Sequence, residues 1–74
     1  MAKKMISLTF SDELIQEPVI YRIGHEFKVV TSIFQAAVTE QEGWVLLELE
    51  GEEKEIERAV SFLRTMHVNV EERN

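Results

Sequence analysis

The chain predicts an α+β fold in which one antiparallel sheet is covered on a single face by two helices. Three observations predict it. Two segments place apolar residues three and four apart, the spacing of one helical face. Four others are rich in β-formers or alternate apolar with polar, the spacing of strands. The two kinds follow one another in the order β-α-β-β-α-β. With 74 residues and no cysteine, the chain is one domain over residues 1–74, its core spanning about residues 5–72.

"MISLTFS" alternates, with Ile6, Leu8 and Phe10 on one side and Met5, Ser7 and Thr9 on the other. It is the first strand. "SDELIQE" reads as an acidic loop around Leu14 and Ile15. Pro18 suits the first turn of a helix, where its missing N–H costs nothing. In "PVIYRIGHEF", Ile20, Ile23 and Phe27 share a helical face with Val19 on its flank. Gly24 costs such a helix about 1 kcal/mol relative to alanine, which predicts a close approach of helix to sheet there.

"KVVTSIFQAAVTE", Lys28 to Glu40, is the second strand. Strict alternation places Val30, Phe34, Ala36 and Val38 on the core side. It leaves Ile33 on the other side with Thr31, Gln35 and Ala37. "EQEG" is a turn. "WVLLELEG" is the third strand, with Val45, Leu47 and Leu49 inward, Trp44, Leu46 and Glu48 outward, and Gly51 at its end. "EEKEIERAVSFLRTM" repeats Ile56, Ala59, Val60, Leu63 and Met66 at three and four. Glu52 and Glu53 suit its N-terminus and Arg64 its C-terminus. "VNV" is the fourth strand, with Val68 and Val70 inward. This order is the ferredoxin-like split βαβ arrangement, with both helices on one sheet face and the second strand at an edge.

The other sheet face should meet water. Met5, Ile33, Trp44 and Leu46 fall there on this reading, a set of large apolar side chains on neighbouring strands. An exposed apolar patch of about 300–600 Å² often marks an interface. These four are therefore the expected dimer interface. Edge-to-edge pairing of the second strand is the other geometry the topology allows.

Several chemistries are absent from the sequence. Without cysteine there are no disulfides, thiolate metal sites or Cys nucleophiles. A net charge of −6 argues against nucleic acid, which needs clustered Lys and Arg. No apolar run approaches the roughly 20 residues of a membrane span. No apolar h-region follows the basic "MAKK", so a secretory signal is not expected and a cytoplasmic setting is. His25 in "HEF" lacks the second histidine of a zinc motif. Glu52, Glu53, Glu55 and Glu57 read as a solvated helix face. RNA-binding members of the topology set aromatics among basic residues; Trp44 has neutral and acidic neighbours. Acyl-phosphate hydrolases of this topology need an arginine after the first strand, where this chain reads "SDELIQEP". No enzyme activity, metal or cofactor is expected.

The ordered set Leu8-Thr9-Phe10, Glu17-Pro18-Val19-Ile20, Phe27 and Gln35-Ala36 resembles the NIL domain family. So do "LLELEGEEKEIERAVSFLR" and "VNVEE". The resemblance covers about residues 6–72. The family's Asn-Ile-Leu triplet stands here as Ser32-Ile33-Phe34, where a hydroxyl replaces an amide. The resemblance implies a ferredoxin-like regulatory domain that forms a homodimer. It implies that the domain binds methionine or another amino acid, with Ser32, Ile33 and Gln35 lining the site. Ligand would act by favouring one arrangement of the domain over another. Family members also precede iron–sulfur ferredoxin domains. This implies an alternative role as a module docking such a domain, or a partner enzyme of sulfur metabolism. The chain fits either a free-standing protein or part of a longer one.

Overall fold

A computed structural model of the chain describes residues 1–11, 19–39 and 42–73. It contains strand β1 (Ala2–Ser11), helix α1 (Val19–Glu26), strands β2 (Val29–Val38) and β3 (Glu42–Gly51), helix α2 (Glu53–Thr65) and strand β4 (Asn69–Arg73). The predicted loop through Leu14, Ile15 and Pro18, and turn residues Glu40 and Gln41, lie outside the described residues. The strands form one sheet in the order β2-β3-β1-β4, antiparallel throughout. This is the expected ferredoxin-like α+β arrangement, with β2 and β4 at the edges.

The register explains the core. Ile6 opposes Leu47 and Leu8 opposes Val45 in the β1–β3 ladder, and cross-strand partners share a face. Leu49 sits one step further along the same face. The helices bring Ile23, Ile56, Ala59 and Leu63 onto it, and all of these side chains are buried. Val68 and Val70 close the β4 end, buried as predicted.

β1 begins three residues earlier than the alternation of Met5–Ser11 suggests. Ala2–Lys4 continue the ladder against Gly51–Leu49. Their lysines find carboxylates: Lys3 Nζ lies 4.0 Å from Glu50 and Lys4 Nζ 2.6 Å from Glu72.

α2 follows an extended Glu52, with Glu53 and Glu55 in its first turn and Arg64 in its last. Acidic side chains there oppose the positive end of the helix dipole. The helix ends where His67 adopts φ 63°. Its N–H bonds Arg64 O, and the Val68 N–H bonds Leu63 O, the paired bonds of a Schellman cap.

α1 buries Val19 and Ile23, four residues apart, while Ile20 and Phe27 are only partly covered. The buried stripe is thus centred one residue away from the predicted face. Gly24 does not mark a close approach. It is exposed, and a Cβ there would meet Thr31 at 3.8 Å, an ordinary contact. Gly51 is the position with no room: a Cβ would come within 2.7 Å of the Lys28 carbonyl oxygen. There the turn from α1 into β2, closed by Val29 N–H to Phe27 O, passes directly over the end of β3.

β2 departs most from expectation. Its register with β3 runs evenly from Val29 to Ile33, then slips by one, because Ile33 opposes Leu47 while Gln35 opposes Leu46. Phe34 is the extra residue of a β-bulge. Ahead of it, Val29, Thr31 and Ile33 face the helices while Val30 and Ser32 face the open side. Beyond it, Ala36 and Val38 face the helices while Gln35 and Ala37 face the open side. Ile33 therefore lies on the helix side, not the open side. Val30 is on the open side, and neither it nor Phe34 is in the core: they are 60% and 56% exposed. Val38 has the predicted orientation but is 62% exposed. The reason is length. An eight-residue helix spans about 12 Å, whereas a ten-residue strand spans about 33 Å. α1 covers the Val29 end of β2, and the Ile33–Val38 end extends beyond it.

Candidate functional site

The antiparallel register arranges the open face in rows. Gln35 lies beside Leu46, Leu46 beside Ser7 and Ser7 beside Glu71. One row away, Ser32, Glu48, Met5 and Arg73 are neighbours. On the other side, Ala37, Trp44, Thr9 and Asn69 are neighbours. Of the expected interface residues, Met5, Trp44 and Leu46 thus share the open face and are half-buried by one another and their neighbours. Ile33 is on the opposite side. Ser7, at the centre of the face, is 3% exposed, and its Oγ has no hydrogen-bond partner.

Of the expected ligand-lining residues, Ser32 and Gln35 flank the bulge on the open side, and Ile33 stands between them facing the other way. All three are exposed. They belong to the free edge of the sheet. Among the described residues, concavities lie elsewhere. A cleft of about 410 Å³ runs between the start of β1, α2 and the end of β4, floored by Ile56 and Val60. Glu72 lines it, held by Lys4 at 2.6 Å and Arg64 at 3.7 Å. A smaller groove of about 240 Å³ lies between α1 and Thr31, walled by Tyr21 and His25, whose rings stack at 5.5 Å.

The electrostatics are those of structural ion pairs. The Lys28 backbone N–H donates to Glu55 Oε1 at 3.0 Å, and Arg58 lies 2.7 Å from the other carboxylate oxygen. That backbone bond, then the arginine, hold the Glu55 carboxyl below the usual carboxylate range. The hydrogen bond from Lys4 does the same for Glu72. Glu55 therefore clips the first turn of α2 to the start of β2, whereas the sequence places it on a solvated face. Arg22 and Arg58 stack over Phe62 and Phe27 at 5.0 and 5.4 Å, tying the two helices together on their outer side. Among the described residues, no three His, Asp or Glu side chains gather as a metal site.

Alternation alone misplaces one feature, the exposed apolar edge. Val30, Ile33, Phe34 and Val38 are four of the six large apolar side chains exposed among the described residues. The signal that finds them is the absence of any charge from Val29 to Val38.

Comparison with known proteins agrees with this fold. The NIL domain model matches residues 4–72. The chain is 26% identical over 72 residues to the methionine import ATP-binding protein MetN of Bacillus subtilis (strain 168). That match takes in 92% of this chain but 21% of the relative, so the chain spans about a fifth of that protein. Among solved structures, it superposes on the C-terminal domain of an ABC transporter ATP-binding protein from Enterococcus faecalis. The TM-score is 0.80 and the identity 32%, covering 93% of this chain and 81% of that one. A de novo designed protein, Foldit4, matches with a TM-score of 0.63 at 23% identity, a likeness of fold alone. The chain belongs to the NIL domain family.

Proposed function

We propose that this chain is a regulatory domain that forms a homodimer and binds a small amphiphilic molecule, methionine or another amino acid. The observation that carries the reading is the match of residues 4–72 to the NIL domain. The similarity to an importer ATPase named for methionine supports the ligand class. Ser32 and Gln35 are the polar groups offered to the ligand, and Ile33 is an apolar neighbour on the other side of the strand. Ser32 presents a single hydroxyl that both donates and accepts. The domain regulates by population shift: ligand binds the paired state more tightly and stabilises it relative to the separated one.

Thermal unfolding across a panel of free amino acids tests this. A ligand at a hundred times its Kd stabilises the folded state by about 2.7 kcal/mol. For a domain of this size that corresponds to a rise in Tm of more than about 10 °C. Methionine, or one chemically similar member of the panel, is expected to produce the shift. Silence across the panel contradicts ligand binding and leaves a protein-docking role.

A further inference from the structure

We infer that the cleft between the start of β1 and α2 binds a short peptide with free termini, laid out extended beside Ala2–Lys4. β3 separates this corner from the β2 edge. The inference therefore stands apart from the pairing and the ligand proposed above.

The sheet is incomplete at this corner. β3 pairs with β1 from Ala2 onward, whereas β4 pairs with it from Met5 to Thr9 only. Among the described residues, no strand lies beside Ala2–Lys4 on the β4 side. Backbone N–H and C=O groups of a strand point alternately to its two sides, so this free edge offers donors and acceptors to an extended chain. The edge is about 10 Å long. α2 leaves the same corner, because Gly51 opposes Ala2, and returns along the sheet in the direction of β1. The cleft between them, about 410 Å³, has the size of small-ligand pockets, which run from about 300 to 1,000 Å³.

The lining has the polarity of a zwitterion. Glu53 and Glu57, one turn apart on α2, line the cleft toward the Ala2 end. Both are exposed, and neither forms an ion pair among the described residues. Further along α2 from Glu57, by about 10 Å, Arg64 meets Lys4 around Glu72. Glu72 engages one nitrogen of each cation, but an ammonium and a guanidinium carry several donors. Lys4 and Arg64 thus keep donors for a second carboxylate. Between the two ends the floor is apolar, made by Ile56 and Val60. An extended tripeptide spans about 10 Å. Its ammonium reaches the two glutamates while its carboxylate reaches Lys4 and Arg64, and its middle side chain points to the floor. A free amino acid is too short to engage both ends. A segment inside a longer chain lacks the terminal charges.

An NMR titration of the isotope-labelled chain with the tripeptide Ala-Leu-Ala tests this, with the amide spectrum as the folding control. Saturable shifts are expected at Lys4, Glu57, Ser61 and Glu72, which line the cleft, and not along β2. N-acetylation and C-amidation of the peptide should each weaken binding by at least about tenfold, because each removes a charged partner. The variant E53Q/E57Q should lose as much for the free peptide, yet bind the acetylated peptide as the unmodified chain does. A merely structural effect of the variant would weaken both peptides alike, and that result overturns the assigned role of the glutamates. The capped peptides test the charges on the unmodified chain whatever the variant does. No saturable shift at millimolar tripeptide overturns the inference. So do capped peptides that bind as well as the free one, leucine alone binding as tightly, or shifts confined to β2. Silence of the chain toward free amino acids contradicts only the ligand proposed earlier.

Discussion

Gly24 and Gly51 differ in what surrounds them, and the difference sets opposite expectations for the same substitution. Gly24 sits exposed within α1, with Thr31 at ordinary contact distance from where a Cβ would lie. Gly24→Ala removes backbone freedom from the unfolded chain and raises helix propensity, so it should stabilise the fold by about 1 kcal/mol. Gly51 has the Lys28 carbonyl oxygen 2.7 Å from the same point, and that oxygen belongs to backbone. Gly51→Ala must displace the α1–β2 turn, and should destabilise by roughly 1–3 kcal/mol. Urea unfolding of both variants at one fixed protein concentration checks the pair. The sequence shows that both positions are glycine but not which is crowded, because crowding comes from a residue 23 positions away.

At the scale of elements, legibility depended on regular periodicity. β3 alternates without interruption, and Val45, Leu47 and Leu49 are buried as its pattern predicts. α2 repeats at three and four, and Ile56, Ala59, Val60 and Leu63 are buried likewise. β2 was legible as a strand and as an edge, but its faces were not. A bulge shifts the phase of alternation partway along, and nothing local to Phe34 announces it. The ligand residues expected from family resemblance were affected in the same way: Ser32 and Gln35 share the open side only because of the slip. The Glu55 clip was hidden for another reason. Its partner, the Lys28 backbone, is reached only when α2 packs beside the start of β2.

The clip and the Lys4–Glu72–Arg64 cluster join elements, so their titration belongs to the same scale. Both carboxyls lie below their ordinary value in the fold. A lowered pKa contributes stability above the unfolded value, and this is lost as pH falls through the folded one. Thermal stability should therefore drop as the solution is acidified below the ordinary glutamate value of about 4.3. The variant E55Q/E72Q should be less stable at neutral pH and lose less on acidification. Melting curves between neutral and strongly acidic pH measure both. Equal acid sensitivity of variant and unmodified chain would contradict these roles.

For the whole molecule, the two ends of the sheet are built differently. The β4 edge is short and charged. The β2 edge is long and uncharged, and carries most of the exposed large apolar side chains among the described residues. An acidic chain with one such edge offers a defined place for the proposed pairing, and Ser32 and Gln35, the residues proposed to meet a ligand, lie on that same edge. The reading thus couples small-molecule binding to pairing, and reciprocity requires each to strengthen the other. Sedimentation equilibrium of the unmodified chain, with and without the amino acid that raises its Tm, tests that coupling most directly. A species of twice the chain mass, tightened by the ligand, is the predicted result. A monomer at high concentration, or a dimer whose affinity ignores the ligand, would contradict it.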